Sequence, residues 1–164
     1  MAINFQRDRH KSISTVVTQL IQDNREFEVL THLRFLYTYR LNEPQYIRGE
    51  LVEAVTKKLS ARERDIYERD VEICVYYDVW MEKNAKQKER LIYGQLLRIY
   101  VEVDEHLEVA LDEDERVKYK IIEPDISVRI FAKELEKYGL PSQFKPALSV
   151  LNARRAGKEA GEDE

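Results

Sequence analysis

The feature that most constrains this chain is a strand-like segment at residues 71–77. Its side chains alternate along the segment: Val71, Ile73, Val75 and Tyr77 on one side, and Glu72, Cys74 and Tyr76 on the other. Alternation with a period of two residues predicts a β-strand that is buried on at least one face. The chain is long enough to build the core around it, because its 164 residues are 43% apolar, which is typical of one globular domain.

The rest of the chain predicts helices and strands in alternation. Ser60 with Glu63 forms a capping-box pattern, and Asn84 is placed to cap the helix that follows. The order of elements predicts an α+β domain, and we detect no internal repeat. The predicted helices cover residues 12–22 (capped by Ser12 or Ser14), 26–32, 60–68, 85–100, 125–138 and 142–155, and the predicted strands cover 34–40, 47–55 (or a short helix), 71–77 and 117–122.

The composition argues against several classes of protein. No stretch approaches the roughly 18 apolar residues of a membrane helix, and the N-terminus lacks the apolar core of a signal peptide, so we expect a cytoplasmic protein. Cys74 is the only cysteine, and the three histidines are His10, His32 and His106. Metal ligands are therefore scarce, and we expect neither a metal nor a cofactor. Cys74 is expected to be a small buried hydrophobic residue, and the histidines to be surface residues.

Negative charge is concentrated in one segment. The chain has 27 basic and 31 acidic residues, yet residues 1–100 have 17 basic and 15 acidic residues. Such an acidic segment repels phosphate, so nucleic acid is an improbable partner through a broad basic face. We expect a solvated loop, with a DNA mimic or a contact to a basic partner as alternatives. The acidic residues are Glu102, Asp104, Glu105, Glu108, Asp112, Glu113, Asp114 and Glu115.

A series of short motifs in a fixed order resembles the phage metallopeptidase family over residues 34–140. In that family, a strand that ends in a Trp-containing turn leads to a helix bearing H-E-x-x-H. The resemblance implies a zincin-like fold with a three- to four-stranded sheet packed on a central helix and helical terminal segments. The motifs are Arg34-Phe35-Leu36-Tyr37, Asn42-Glu43-Pro44, Gly49-Glu50-Leu51-Val52, Lys57-Lys58-Leu59-Ser60, Val71-Glu72-Ile73-Cys74-Val75, Asp78-Val79-Trp80 and Tyr138-Gly139-Leu140.

The chain departs from this family at the catalytic motif itself. Alignment of residues 85–100 with the active helix places Gly94 and Arg98 at the positions of the two histidines, and Gln95 at the position of the glutamate. Gly94 has no ligand atom, the Gln95 amide cannot cycle a proton near neutral pH, and Arg98 is permanently cationic. The resemblance therefore implies a degenerate former site. Arg98 could pair with Glu123 or Asp125, or could point to solvent.

These observations predict a non-catalytic, zincin-like pseudo-metallopeptidase that binds a host or viral protein. The expected division of the chain is an N-terminal helical segment at 1–33, the α+β domain at 34–155 and a disordered tail at 156–164. Ten tyrosines favour a protein-binding surface. The alternatives are an enzyme with a rebuilt, metal-independent site at Tyr93 or Gln95, and an acidic DNA-mimicking inhibitor.

Overall fold

A computed structural model describes residues 4–47, 49–123 and 132–139. The chain divides into two compact units, Met1–Ile122 and Glu123–Glu164. The second unit has one described helix, α5 (Ala132–Tyr138), which ends as predicted before Gly139. The first unit contains strands β1 (Phe5–Arg7), β2 (Phe35–Arg40), β3 (Tyr46–Ile47), β4 (Glu50–Leu51), β5 (Ala54–Lys58), β6 (Val71–Tyr76), β7 (Ile99–Val101) and β8 (Tyr119–Ile121), helices α1 (Ser12–Asp23), α2 (Ala61–Tyr67), α3 (Tyr77–Glu82) and α4 (Ala85–Leu96), and a 3₁₀ helix (Arg25–His32).

The main sheet has four strands in the order β1-β2-β6-β5. β2 and β6 are parallel, and the outer strands β1 and β5 each run antiparallel to their neighbour. The prediction of an α+β fold is confirmed, and the sheet has four strands, within the predicted range. The sequence analysis did not predict β1, which is three residues long and exposed, because nothing in a pattern this short and polar distinguishes it from a loop.

One face of the sheet is directed toward α4. Ile73 on β6 is in register with Thr56 on β5, and Thr56 donates a hydrogen bond to Gln95 on α4. Paired residues in adjacent strands point to the same face, so Val71, Ile73 and Val75 of β6 share it. All three are fully buried. The segment with alternating side chains at residues 71–77 therefore supplies the centre of the core.

The opposite face of β6 carries Cys74 and Tyr76, and both are buried. Burial raises the pKa of the Cys74 thiol. A thiol held neutral in this way is a poor nucleophile, which confirms Cys74 as a buried core residue.

Helix α1 is capped differently from our prediction. The carboxylate of Asp8 accepts hydrogen bonds from the backbone N–H groups of Ser12, Ile13 and Ser14 at 2.7 to 3.2 Å. It thus satisfies the donors that a helix N-terminus leaves unpaired. The Ser12 hydroxyl, predicted as a cap, instead accepts a hydrogen bond from the Trp80 indole at 2.9 Å.

Trp80 ties the sheet to the helices. It lies in α3, a short helix that follows β6 directly and was not predicted, and its side chain is fully buried. Because the indole N–H has a partner in Ser12, burial of this ring leaves no unpaired donor.

The predicted element at residues 47–55 proves to be two different structures. β3 and β4 form a small hairpin, and β5 then begins at Ala54. Gly49 in the turn has a φ of 80°, a conformation that favours glycine.

The predicted capping box at the start of α2 is confirmed between Ser60 and Glu63. A hydrogen bond from Lys57 and those from Ser60 lower the pKa of Glu63 to about 2.

The acidic segment is a hydrogen-bonded ribbon rather than a loop. β7 pairs with β8, and isolated bridges join Val103 to Val109 and Leu111 to Val117. Two tight turns lie between them, each begun by an aspartate, Asp104 or Asp112. Residues 103–110 and 111–118 are thus a short structural repeat that the sequence analysis missed, because only a few of the paired residues are identical.

Tyr119 attaches this ribbon to the sheet. Its hydroxyl donates to the carbonyl of Asp70, and its own carbonyl accepts from the Lys58 ammonium at 2.9 Å. Burial raises the pKa of Tyr119 to about 12. In the fold the phenol therefore stays neutral up to about pH 12, whereas in the unfolded chain it ionises near pH 10, so its contribution to stability is lost as the pH rises above about 10.

No helix within the described residues is long and apolar enough to cross a membrane.

Candidate functional site

The candidate site lies at the C-terminal end of α4, where the sequence analysis placed the degenerate motif. α4 begins with a reciprocal capping box between Asn84 and Gln87, as its sequence predicted for Asn84. Its buried positions are consecutive at the far end, from Ile92 to Leu96. Gly94 and Gln95 belong to this buried end, so both residues at the aligned motif positions on the helix face the interior.

Gln95 is held by Thr56 on the edge strand β5. The Thr56 hydroxyl donates to Oε1 of Gln95 at 2.8 Å, and it also lies 3.4 Å from the Gln95 backbone carbonyl. Both residues are only 8% exposed. A neutral hydrogen bond in such a place contributes about 1 kcal/mol, and leaving one partner unsatisfied costs more. Gln95 therefore ties the helix to the sheet, and its amide supplies no acid or base.

Arg98 does not lie on the helix. The sequence analysis extended this helix to about Tyr100, but α4 ends at Leu96, a turn follows, and β7 begins at Ile99. In the turn the Arg98 N–H donates to the Gln95 carbonyl at 3.2 Å, and the Arg98 carbonyl accepts from Ile122 at 2.8 Å. The helix ends earlier than predicted because the Arg98 carbonyl bonds to the N–H of Ile122, which follows β8, and not to a later residue of the helix.

Of the two predicted charge partners of Arg98, only Glu123 lies within the described residues. Glu123 is exposed. Asp125 lies outside the described residues. The pairing of Arg98 with either carboxylate stays a prediction.

The residues at the aligned motif do not fit a zinc ion. Zinc in this arrangement needs lone pairs from two side chains four residues apart on one helix face. Gly94 has none, and the guanidinium of Arg98 is a permanent cation without a lone pair. Among the described residues there is no group of three or more His, Cys, Asp or Glu side chains that could hold a metal.

The three histidines lie on different elements. His10 precedes α1, His32 ends the 3₁₀ helix and His106 lies in the first acidic turn, and all three are exposed. This confirms them as surface residues.

Tyr93, named for a rebuilt enzyme site, also has a structural contact. Its hydroxyl donates to the carboxylate of Glu26, and its ring meets Phe27 edge-on with centroids 5.1 Å apart. Tyr93 is 3% exposed. Tyr93 bonds to Glu26, whereas Gln95 bonds to Thr56. These contacts therefore do not direct the two side chains at a common reacting group.

The acidic residues proposed as an interaction loop are not equivalent. Oδ1 of Asp104 accepts from the N–H groups of His106 and Glu108 at 2.8 and 2.9 Å, and Asp112 binds Asp114 and Arg116 in the same way. These two carboxylates build the turns. Glu102 is half-buried. The exposed acidic side chains that remain are those of Glu105, Glu108, Glu113, Asp114 and Glu115.

The sequence patterns did not indicate two buried polar residues, Thr56 at this site and Asp70 just before β6. Thr56 was not singled out, because a threonine in a strand carries no signal of its partner on a helix 39 residues away. Asp70 was also missed. It is 7% exposed, and its carboxylate accepts from the Arg34 backbone N–H at 2.9 Å and from the Arg34 guanidinium at 3.2 Å.

The fold and the site together define an α+β protein in which Gln95 of helix α4 is hydrogen-bonded to the edge strand β5. The sequence profile of a family described as "Putative phage metallopeptidase" matches residues 6–152. The chain belongs to this family, and it is a metallopeptidase-like phage protein. Neither a curated protein nor a solved structure matches it.

Proposed function

We propose that this chain is a non-catalytic member of its family, a pseudo-metallopeptidase on a zincin-like scaffold that acts by binding a host or viral protein in the host cytoplasm. The observation that carries the proposal is the Gln95–Thr56 hydrogen bond at 2.8 Å. The position that aligns with the general base of the family holds a buried neutral amide used for packing. The positions aligned with the two histidines hold Gly94 and Arg98.

The chemistry of these residues supports the proposal step by step. Peptide hydrolysis by a metallopeptidase needs a metal-bound water and a group that takes its proton. An amide exchanges no proton near neutral pH, and neither Gly94 nor Arg98 offers a lone pair to a metal. Each of these residues would have to change for the reaction to proceed.

The exposed surface supports binding instead. Tyr46, Tyr67, Tyr77 and Tyr100 are between 38% and 71% exposed. Tyrosine is enriched at protein interfaces because it offers a large apolar ring and a polar hydroxyl. The two acidic turns add a rigid, negatively charged surface to which basic groups are attracted.

A peptidase assay tests the catalytic half of this proposal. The full chain is incubated with zinc and a complex peptide library, and new termini are counted by mass spectrometry. We expect no cleavage above that of the Gln95→Ala variant, whose folding is checked by circular dichroism. Cleavage by the wild type that a chelator abolishes would overturn the proposal.

Crosslinking in host lysate tests the binding half. We expect a stoichiometric protein partner, identified by mass spectrometry and then reconstituted from purified components. Failure of the purified pair to associate, with no other partner found, would contradict a binding function.

A further inference from the structure

Four arginines and several aromatic rings gather at the free edge of the main sheet, which we call the arginine strip and define as Arg7, Arg9, Arg40 and Arg69. β1 is the outermost strand and is exposed along its length. Phe5 pairs with Arg40 in the β1–β2 register, and Arg7 pairs with Thr38. Alternate residues share a face, so Arg7 and Arg40 lie on the same side of the sheet.

Two surface depressions meet at Arg7. One, of about 170 Å³, is lined by Arg7 and Arg69 together with Tyr37, Tyr67 and Phe35 among others. The other, of about 320 Å³, is lined by Arg7, Arg9, Phe5, Gln6 and Leu41. Both depressions therefore combine cationic and aromatic side chains, and together they follow the outer strand.

Arg7 and Arg40 contact aromatic rings, Arg40 also donates to the Tyr76 hydroxyl at 3.1 Å, and Arg69 donates to the Glu68 carbonyl at 2.9 Å. The guanidinium carbon of Arg7 lies 5.3 Å from the centre of the Tyr67 ring, and that of Arg40 lies 5.1 Å from Phe5. Within residues 4–47, 49–123 and 132–139, neither Arg7 nor Arg9 forms an ion pair with a carboxylate. The charge of these side chains is therefore open to an anionic ligand.

Three carboxylates lie close to the strip: Glu68, which is exposed beside Arg69, and Asp8 and Glu72, which accept hydrogen bonds within the protein, Asp8 also lining the smaller depression. Asp8 accepts hydrogen bonds from the start of α1 and from the Tyr39 hydroxyl, and Glu72 accepts from Thr38 at 2.7 Å. A carboxylate that neutralises a helix N-terminus opposes an incoming anion less than a free one does. The four arginines outnumber these three carboxylates by one, whereas the whole chain has a net charge of −4.

We propose that the arginine strip binds single-stranded nucleic acid. Arginine forks hold phosphate groups, and exposed aromatic rings stack with bases. Phe5 is 48% exposed and Tyr67 is 38% exposed, so both rings offer surface to a base. An acidic peptide satisfies the arginines but leaves the rings exposed to water, whereas a single strand covers both.

This partner differs from the expectation drawn from the sequence. That expectation concerned a broad basic face, which the acidic segment argues against. The arginine strip is narrow, and its members come from β1, from the loop after it, from the end of β2 and from the residues before β6. The four arginines come together only when β1 pairs with β2. Counting charges along a continuous segment of the sequence therefore does not reveal the strip.

The test is fluorescence anisotropy of the full chain with a labelled oligothymidylate. We expect binding that weakens about 10- to 20-fold between 50 and 200 mM salt, as about three phosphate contacts on a single strand require. Arg7→Ala/Arg9→Ala is expected to weaken binding about tenfold and to flatten the salt dependence. Phe5→Ala, which leaves every charge in place, is expected to weaken binding at least about fivefold.

The matched control is Lys86→Ala/Lys118→Ala, which removes the same charge from exposed positions on α4 and the ribbon. It should bind as the wild type does, and thermal unfolding confirms that all variants fold. Absence of binding on the order of 100 µM protein would overturn the proposal, since even non-specific binders associate in that range. Equal competition by polyglutamate, or equal loss in the control, would also overturn it.

Discussion

The end of α4 and the arginine strip lie at opposite outer strands of one sheet, β5 and β1. Their polar side chains differ in burial and in charge. At β5, Thr56 and Gln95 are buried, neutral and hydrogen-bonded to each other. Arg7 at the end of β1 and Arg9 in the loop after it are exposed and charged, and no carboxylate in the described part of the chain pairs with them. The position where the family resemblance implies chemistry is thus used for packing, and the side chains open to a ligand lie at the other edge.

This contrast has an electrostatic cause. A polar group without a partner is costly in the interior, so residues at a buried former site are constrained to satisfy one another. At the surface, water hydrates an unpaired charge at little cost. The buried polar groups at the end of α4 are therefore neutral and paired, whereas the exposed charges at the other edge need no partner within the protein.

The largest expected effect separates the packing of the two regions. Leu96→Ala removes a fully buried side chain at the end of α4 and should lower the free energy of unfolding by about 2–5 kcal/mol. Phe5→Ala, in the arginine strip, should lower it by less than about 1 kcal/mol, because the ring is already half-exposed. Urea unfolding of both variants measures the difference. Similar losses at the two positions would contradict the assignment of α4 to packing and β1 to an open surface.

A smaller and pH-dependent effect is expected of Gln95→Glu. Burial raises the pKa of the new carboxyl above that of the unfolded chain, about 4.3. The variant should therefore match the wild type below about pH 4 and lose about 2 kcal/mol as the pH rises to 7. Chemical unfolding at both pH values measures it.

The control for that variant is Gln22→Glu, on an exposed position of α1. It should change stability by less than about 0.5 kcal/mol at either pH. If Gln95→Glu behaved in the same way as this control, the end of α4 would be open to water and available for chemistry.

The smallest effect on stability is expected at the arginine strip. Arg7→Ala/Arg9→Ala should change the free energy of unfolding by no more than about 0.5 kcal/mol for each residue, because both side chains are exposed. A change in denaturation midpoint, with constant slope, measures it. A loss of several kcal/mol would show that these arginines hold the sheet together, and the contrast with α4 would disappear.

Local sequence signals predicted those elements whose stabilising contacts are close in the chain. The capping box at Ser60, the N-cap at Asn84 and the strand at residues 71–77 were predicted because each pattern is complete within a few residues. The predicted cap of α1 was wrong. The capping residue is Asp8, which lies four residues before the helix, and two serines closer to the helix matched the usual N-cap pattern. The predicted end of α4 was wrong because the Arg98 carbonyl accepts a hydrogen bond from Ile122, a residue distant in the sequence.

The position of the candidate site stays a prediction from the family resemblance, and its contacts could not be predicted. The family resemblance located Gly94, Gln95 and Arg98, and residue chemistry alone indicated how each differs from a zinc site. The partner of Gln95 comes from β5, and the arginine strip is assembled from four separate places in the sequence. Contacts of this kind depend on strand order and register, which a single sequence specifies only weakly.

The central claim, that the end of α4 holds no catalytic metal, is tested most directly by the zinc content of the full chain purified from zinc-supplemented medium. Elemental analysis after extensive dialysis should find well below one zinc per chain, and the same value for Gln95→Ala. One tightly held zinc per chain in the wild type would contradict the account.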